Sequence, residues 1–335
     1  MKNYRVAILG ATGEVGREMM KILEERNFPL SELRLLASAR SAGKTLAFRG
    51  KPLTVQEATD RSFEGIDIVL GAASSSLAKQ FAPAIVRAGA VFVDNSSAFR
   101  MDPQVPLVVP EINPQDVALH HGIISNPNCS TIITLMAVKG IHRLSPIRRM
   151  IASTYQAVSG AGAGGPRELD EQMHALVEGK PVVHDVFPYQ IAENLIPQIG
   201  NFLPDGYTAE EMKMQNEGRK IMHLPELRVT CTCVRVPVVR SHSISVVVYT
   251  ERPLSPEEVK AAIRTEEGCR LVDDPNTASY PMPLDTSDQD TVFVGRIRPD
   301  LAEDGGIALW CCGDQVRKGA ATNAVQIAEL LTDRS

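Results

Sequence analysis

The residue with the clearest chemical potential is Cys129. It stands in the run Ser125, Asn126, Pro127, Asn128, Cys129, Ser130, Thr131, directly before an apolar stretch of Ile132, Ile133, Leu135, Met136 and Val138. That pattern starts a helix at or near Cys129. The partial positive charge at a helix N-terminus favours thiolate over thiol. A thiolate attacks an aldehyde or acyl carbon. A lone cysteine ahead of a helix is more often a buried, inert thiol, so spacing alone leaves both readings open. A nucleophile of this kind needs an acid or base. His242 lies at the end of a strand-like run, seven residues after Arg235. It is a candidate, against the plainer reading of a structural histidine.

A second group of residues suits a dinucleotide. Gly10, Gly13 and Gly16 follow the apolar run Arg5–Leu9 and precede an amphipathic segment with Val15, Met19, Ile22 and Leu23 at helical spacing. Small residues let the backbone approach a pyrophosphate, and the helix N-terminus offers free N–H groups. The spacing is G-x-x-G-x-x-G, not the commoner G-x-G-x-x-G, so the strand–turn–helix context carries much of the inference. The next strand, Leu33–Ala37, runs into Ser38, Arg40, Ser41 and Lys44, with no Asp or Glu to hold a ribose 2′-hydroxyl. Hydroxyls and cations there suit a 2′-phosphate, which points to NADP. A solvated basic turn is the bland alternative.

These residues must be positioned by a suitable scaffold. The first third alternates strand and helix signals: strands at Arg5–Leu9, Leu33–Ala37, Ile66–Leu70 and Val91–Asp94, and a helix at Leu77–Arg87. Such alternation predicts a doubly wound parallel sheet of Rossmann type. Beyond it the pattern changes. Strands are expected at Ile151–Val158, Leu227–Val239, Ser243–Thr250, Thr291–Arg298 and Gly306–Cys312, and helices at Leu169–Val177, Ala209–Ile221 and Ser255–Thr265. Ser159–Pro166, with four glycines, reads as a flexible loop, and Pro181–Asp205 as irregular structure. The fold class is therefore α/β: a Rossmann-type domain plus an α+β domain with a mixed sheet. The expected division is 1–128, joined by a C-terminal helix at 319–335, against 129–318.

Composition bounds the function. A chain of 335 residues suits two domains. Its net charge of −5 gives no electrostatic support to a nucleic-acid or membrane-surface role. No apolar run reaches the roughly 20 residues that span a bilayer, and the start shows no signal-peptide pattern. A cytoplasmic protein is expected. The paired Cys231 and Cys233, and the adjacent Cys311 and Cys312, lack zinc-site spacing and read as small buried hydrophobes. No metal is expected.

Taken together the segments resemble the aspartate-semialdehyde dehydrogenase family. The resemblance runs in order through Gly10–Gly16, Asp94–Arg100, Val109–Asn113, Asn126–Thr131, Tyr155–Gly162, Asn216–Lys220, Arg235–Val238, Ser241–His242 and Gly319–Ala328. No single segment is specific, but the ordered set is. It implies an NADP-dependent phosphorylating aldehyde dehydrogenase, serving the making of lysine, threonine, methionine and isoleucine. By this resemblance Cys129 forms an acyl-thioester, His242 is the acid/base, and Gln156 orients the substrate beside the thiol. Asn128 adjoins the substrate, Arg235 pairs with its α-carboxylate and Glu217 holds its α-amino group. Arg100 and Lys220 bind phosphate. The cofactor is held by Gly10, Thr12, Gly13, Glu14, Val15, Ser38, Arg40 and Ser41, joined by Ser159, Gly160 and Asn323. Taken without the resemblance, Arg100 and Arg235 read equally as structural ion pairs, and Glu217 with Lys220 as a surface i,i+3 bridge. The partners implied are a small-molecule substrate and inorganic phosphate. A homodimer through the second domain is expected, with assembly to a tetramer left open. The nearest alternative is an acyl-phosphate reductase of the N-acetyl-glutamyl-phosphate type. A catalytically silent nucleotide-binding homologue fits poorly, because Cys129, Gln156, Arg235 and His242 are all retained.

Overall fold

The computed structural model describes residues 2–332; Met1 and the last three positions of the expected C-terminal segment, 333–335, lie outside the described residues. The chain divides into two compact units, one running to Asn128 and resuming at Ala320, the other spanning Cys129–Gly319.

In the N-terminal unit β1 (Tyr4–Leu9), α1 (Glu14–Glu25) and β2 (Leu30–Ala37) form the first strand–helix–strand turn. A hairpin of β3 (Thr45–Phe48) and β4 (Lys51–Thr54) follows, then the short β5 (Gln56–Glu57), β6 (Ile68–Gly71), α2 (Ser75–Arg87), β7 (Val91–Asp94) and β8 (Ile123–Ser125). The sheet order is β5-β2-β1-β6-β7-β8, with every pairing parallel. Covered strands of this kind need apolar residues on both faces, and Val6, Ala7 and Ile8 are each fully buried. Helix α1 turns Met19, Ile22 and Leu23 inward. Gly10 ends β1 at φ +92°, and a Cβ there would lie 2.5 Å from the Ala72 carbonyl oxygen. Neither feature tolerates a side chain.

The second unit begins with the buried helix α3 (Cys129–Leu144), which leads into β9 (Ile147–Gln156), α4 (Gly164–Val177), α5 (Ala209–Ile221), β10 (Arg228–Arg235) and β11 (His242–Thr250). Then come α6 (Pro256–Thr265), β12 (Cys269–Leu271), the one-turn α7 (Pro283–Thr286), β13 (Val292–Pro299) and β14 (Gly306–Gly313). The sheet order is β10-β9-β11-β14-β13-β12. It is mixed: β10 pairs parallel with β9, while β11 runs antiparallel to both β9 and β14. The chain returns to the first unit through α8 (Thr322–Thr332), which buries Ala324, Val325 and Ala328 in that unit's core and joins Arg26 to Glu329 by two 2.7 Å bonds.

Several boundaries differ from the sequence expectation, each for a physical reason. β10 stops at Arg235, not Val239, because Pro237 has no N–H for the ladder. Helix α4 starts at Gly164, inside the expected flexible loop, since close packing selects glycine there: a Cβ on Gly165 would sit 2.0 Å from the Val158 carbonyl oxygen. The segment expected to be irregular is indeed without long elements, yet it is tightly held. Buried Glu168 accepts from the backbone N–H groups of Asp185 at 2.7 Å, Val186, and Phe187 at 3.3 Å. Gln172 accepts from Ile191 and Ala192 and donates to the Val183 carbonyl. Glu168→Ala strands three backbone donors at once. It is expected to lower stability by about 3 kcal/mol, measured by urea denaturation, with Glu168→Gln less damaging.

Candidate active site

Strand direction gathers the functional side chains of the second unit. Because β9 and β10 are parallel, Gln156 and Arg235 come out as register partners at their C-terminal ends. Because β11 is antiparallel to β9, its first residue, His242, emerges at the same edge. Helix α3 delivers the fourth group, for Cys129 is its first residue and Sγ lies 3.4 Å from His242 Nε2. Gly319 packs behind the nucleophile, where a Cβ would fall 2.9 Å from that of Cys129.

His242 is completely buried. Its Nδ1 accepts from the Ala157 backbone N–H at 3.1 Å. Burial, reinforced by the nearby Arg235 charge and partly opposed by Glu210, pulls the imidazole down to about 3. Arg235 donates from Nη1 to the Ala157 carbonyl at 2.7 Å and lies over the Phe187 ring, 5.9 Å from its centroid. Its guanidinium is also pushed down by burial, against the favourable fields of Cys129 and Glu210. Gly160 makes room for this pair: a Cβ there would meet Arg235 Nη1 at 2.8 Å and His242 Cε1 at 3.2 Å.

Gln156 is held at both ends of its amide. Thr154 Oγ1 donates to Oε1 at 2.9 Å, and Nε2 donates to Glu210 Oε1 at 3.3 Å. Lys213 Nζ donates to the other Glu210 oxygen at 2.7 Å. Glu210 and Lys213 were not singled out from the sequence. Helix α5 carries two Glu-x-x-Lys pairs, Glu210 with Lys213 and Glu217 with Lys220. Pattern alone cannot choose between them. The fold does: Glu211 accepts from Cys233 N–H and Gln215 from Val229 N–H, so α5 runs antiparallel to β10 and its first turn meets the Arg235 end. Glu210 is the acid joined to Gln156. Glu217 is buried two turns further on, roughly 10 Å along the axis.

The remaining predicted residues fall as follows. In the N-terminal unit, Gly10, Thr12, Gly13 and Ser38 line a cavity of about 410 Å³, together with Ala37, Ala72, Ala73 and the unforeseen Glu57. Gly13 is the N-cap of α1 and no side chain caps that terminus; Glu14 and Val15 open the helix. A small-walled cavity at a helix start fits a dinucleotide's phosphates. Arg40 and Ser41 sit on the single turn Ala39–Ser41 just beyond Ser38. Arg100 is buried, donating from Nε to the Asn126 carbonyl and from Nη2 to that of Asn95, each at 2.9 Å. Asn128 is buried. Asn323 donates to the Val108 carbonyl at 2.9 Å and to Asn126 Oδ1 at 2.7 Å, bracing the Asn126–Asn128 turn. In the second unit Ser159 donates to the Val239 carbonyl at 2.6 Å and accepts from Gln315. Ser159, Gly160 and Asn323 thus carry packing and bracing contacts of their own. No helix among the described residues is long and apolar enough to cross a membrane.

The Rossmann-type unit and a cysteine–histidine pair at a sheet edge define a class that known proteins share. Two family models match: "Semialdehyde dehydrogenase, NAD binding domain" over residues 5–120 and "Semialdehyde dehydrogenase, dimerisation domain" over 138–318. An aspartate-semialdehyde dehydrogenase of Synechocystis sp. is 52% identical over 330 residues, 98% of each chain. The crystal structure of aspartate semialdehyde dehydrogenase II from Vibrio cholerae complexed with ASA superposes with a TM-score of 0.97 at 46% identity, covering 100% of this chain and 99% of that one. An aspartate semialdehyde dehydrogenase from Candida albicans, solved with NADP, reaches 0.77 at 25% identity, covering 99% of each chain. The chain belongs to the semialdehyde dehydrogenase family, among the aspartate-semialdehyde dehydrogenases.

The buried imidazole has a thermodynamic consequence. Unfolded, His242 takes up a proton near its ordinary 6.5; folded, only near 3. Between these values the unfolded chain binds more protons, so the stability gained from keeping the ring neutral is complete above about 6.5 and is lost as pH falls towards 3. His242→Gln should therefore show a smaller drop in denaturation midpoint between about pH 7 and pH 4.5 than the native protein, read by urea titration at each pH.

Proposed function

We propose that this protein catalyses the NADPH-dependent reductive dephosphorylation of L-aspartyl-4-phosphate to L-aspartate 4-semialdehyde through a Cys129 thioester. The observation that carries this reading is the 3.4 Å approach of Cys129 Sγ to His242 Nε2, at the sheet edge where Gln156, Arg235 and Glu210 converge. The thiolate attacks the acyl carbon, and the carbon–oxygen bond to phosphate breaks with its electron pair leaving on phosphate. The reduced nicotinamide supplies the hydride that takes the acyl group to the aldehyde level.

The substrate carries one carboxylate and one ammonium away from the reacting carbon. The buried Arg235 guanidinium suits the carboxylate. Glu210 suits the ammonium, beside Glu217, to which the resemblance gives that role. Lys213, paired to Glu210, is a further cation suited to a phosphate dianion; Arg100 and Lys220 have that role by the resemblance. Gln156, locked by Thr154 and Glu210, holds its amide in one orientation, which suits the substrate-orienting role the resemblance gives it. NADP is supported by Ser38, Arg40, Ser41 and Lys44 at the end of β2, and by the Candida albicans relative solved with NADP. A homodimer is proposed on the match to the dimerisation-domain model. Ile151 on β9, and Met282 just before α7, are about half exposed, apolar surface of the kind that a partner covers.

The purified protein with L-aspartate semialdehyde should reduce NADP over repeated turnovers only when phosphate is present, and Cys129→Ala should abolish this. Glu210→Gln should raise the KM for the aldehyde at least about tenfold, the scale of one lost charge-assisted bond, with Glu217→Gln far milder. Turnover with N-acetyl-glutamate semialdehyde in place of the aspartyl aldehyde would overturn the substrate assignment, and the reverse ranking of the two glutamates would restore Glu217.

A further inference from the structure

Ser241, the residue before His242, holds a backbone conformation that its own type disfavours. Its φ is +73°, in the left-handed region where a Cβ crowds the following carbonyl. Such a conformation persists only where the surroundings impose it. Two side chains do so here. The Ser241 N–H donates to Gln315 Oε1 at 2.8 Å. The Ser241 and Thr286 hydroxyls bond at 2.6 Å, and Thr286 Oγ1 also donates to the Met282 carbonyl at 3.0 Å, so Ser241 is the donor between the two hydroxyls. Ser241, Thr286 and Gln315 are all buried, and water offers no substitute for either bond.

Gln315 reaches Ser241 because of where β14 ends. The antiparallel ladder of β11 with β14 closes on the pair His242 and Gly313. Two residues on, Gln315 takes the Ser241 N–H with its side chain in place of a ladder carbonyl. The other end of the same amide is engaged as well. Nε2 donates to Ser159 Oγ, which in turn donates to the Val239 carbonyl at 2.6 Å. Ser159 leads into Gly160, the residue that lies against the edge of the His242 ring. One amide therefore holds both the start of the strand that carries the ring and the turn that packs on it. The contacts of the ring with the Ala157 N–H at 3.1 Å and with Cys129 Sγ at 3.4 Å depend on that placement.

We infer that Gln315 is a positioning residue for the reaction: it fixes the Ser241 backbone, and through it the place of the His242 ring before Cys129. The inference rests on the proposed Cys129–His242 chemistry. A ring displaced by about 1 Å lowers turnover by up to about a hundredfold, while Arg235 and Glu210 still hold the substrate. The loss therefore falls on kcat and not on KM. A brace that served the fold alone would lower the urea midpoint and leave kcat per folded molecule unchanged.

Gln315→Met keeps the length of the side chain and removes both bonds. Per molecule that binds NADP, its kcat with L-aspartate semialdehyde, NADP and phosphate should fall about ten- to a hundredfold, with the KM for the aldehyde moved less than about threefold. Ser241→Gly removes the steric objection to a positive φ. In that background Gln315→Met should cost at least about threefold less in kcat than it does alone. An unchanged kcat, a loss confined to KM, or equal losses in the two backgrounds would each overturn the inference. If Gln315→Met does not fold, Thr286→Val takes away the other hold on Ser241 at nearly constant volume. It should lower kcat severalfold with KM unmoved, and a native kcat would contradict the account. A last arm uses no substrate. Alkylation of Cys129 by iodoacetamide near about pH 7 should be slower in either variant than in the native protein; an equal or faster rate would overturn the inference. An inactive native protein would sink the proposed reaction, and the alkylation arm would still decide the role of Gln315.

Discussion

A fully buried imidazole, held on one nitrogen by a backbone N–H and turned with the other to a cysteine sulfur, sets the terms for the rest of the second unit. Removing a histidine from water is costly unless its polar atoms are met. Meeting them demands that β9 end at Gln156, so that the next N–H, from Ala157, points at the ring. It demands that β11 begin at His242, and that α3 begin at Cys129. Parallel pairing on one side of β9 and antiparallel pairing on the other bring these three ends together. A mixed sheet can do this with adjacent strands; a wholly parallel one would put the start of β11 at the opposite edge.

The second demand is a buried cation beside that ring. A guanidinium out of water needs partners that stay in place. Arg235 finds the Ala157 carbonyl, the same residue whose N–H holds His242, so the two polar groups of one residue orient both side chains. Phe187 covers the guanidinium, and Phe187 is itself anchored by its N–H to Glu168. The Arg235 backbone exchanges two bonds with Ile196, at 2.8 and 3.0 Å. The segment without long elements, between α4 and α5, therefore supports the site through Glu168 and Gln172. Its order comes from side-chain acceptors, which stand in for a ladder.

Much of the architecture was legible because it rests on local patterns. The glycine turn after β1, the amphipathic α1 and the alternation up to β7 announce a parallel sheet, and the apolar run after Cys129 announces α3. The hairpin of β3 and β4 escaped notice, since each strand is only four residues long and β4 contains Pro52, which argues against a strand. Glycines 164 and 165 read as flexibility when their cause is close approach, Gly164 to the Val186 side chain and Gly165 to the Val158 carbonyl. Glu210 was invisible for a different reason. Two Glu-x-x-Lys pairs on one helix are chemically equivalent in sequence, and only the direction of α5 against β10 shows which faces Gln156. Long-range register decides such a choice, and a local pattern does not contain it.

Cys129 is proposed to carry the acyl group between the two halves of the reaction. Mass spectrometry of the protein mixed with L-aspartate semialdehyde and NADP, with phosphate withheld and then added, tests it most directly. An aspartyl adduct on the peptide that contains Cys129, formed without phosphate and released when phosphate is supplied, is the predicted result. NADP reduction proceeding with no adduct on that peptide, or with the adduct on another of the cysteines, would contradict it.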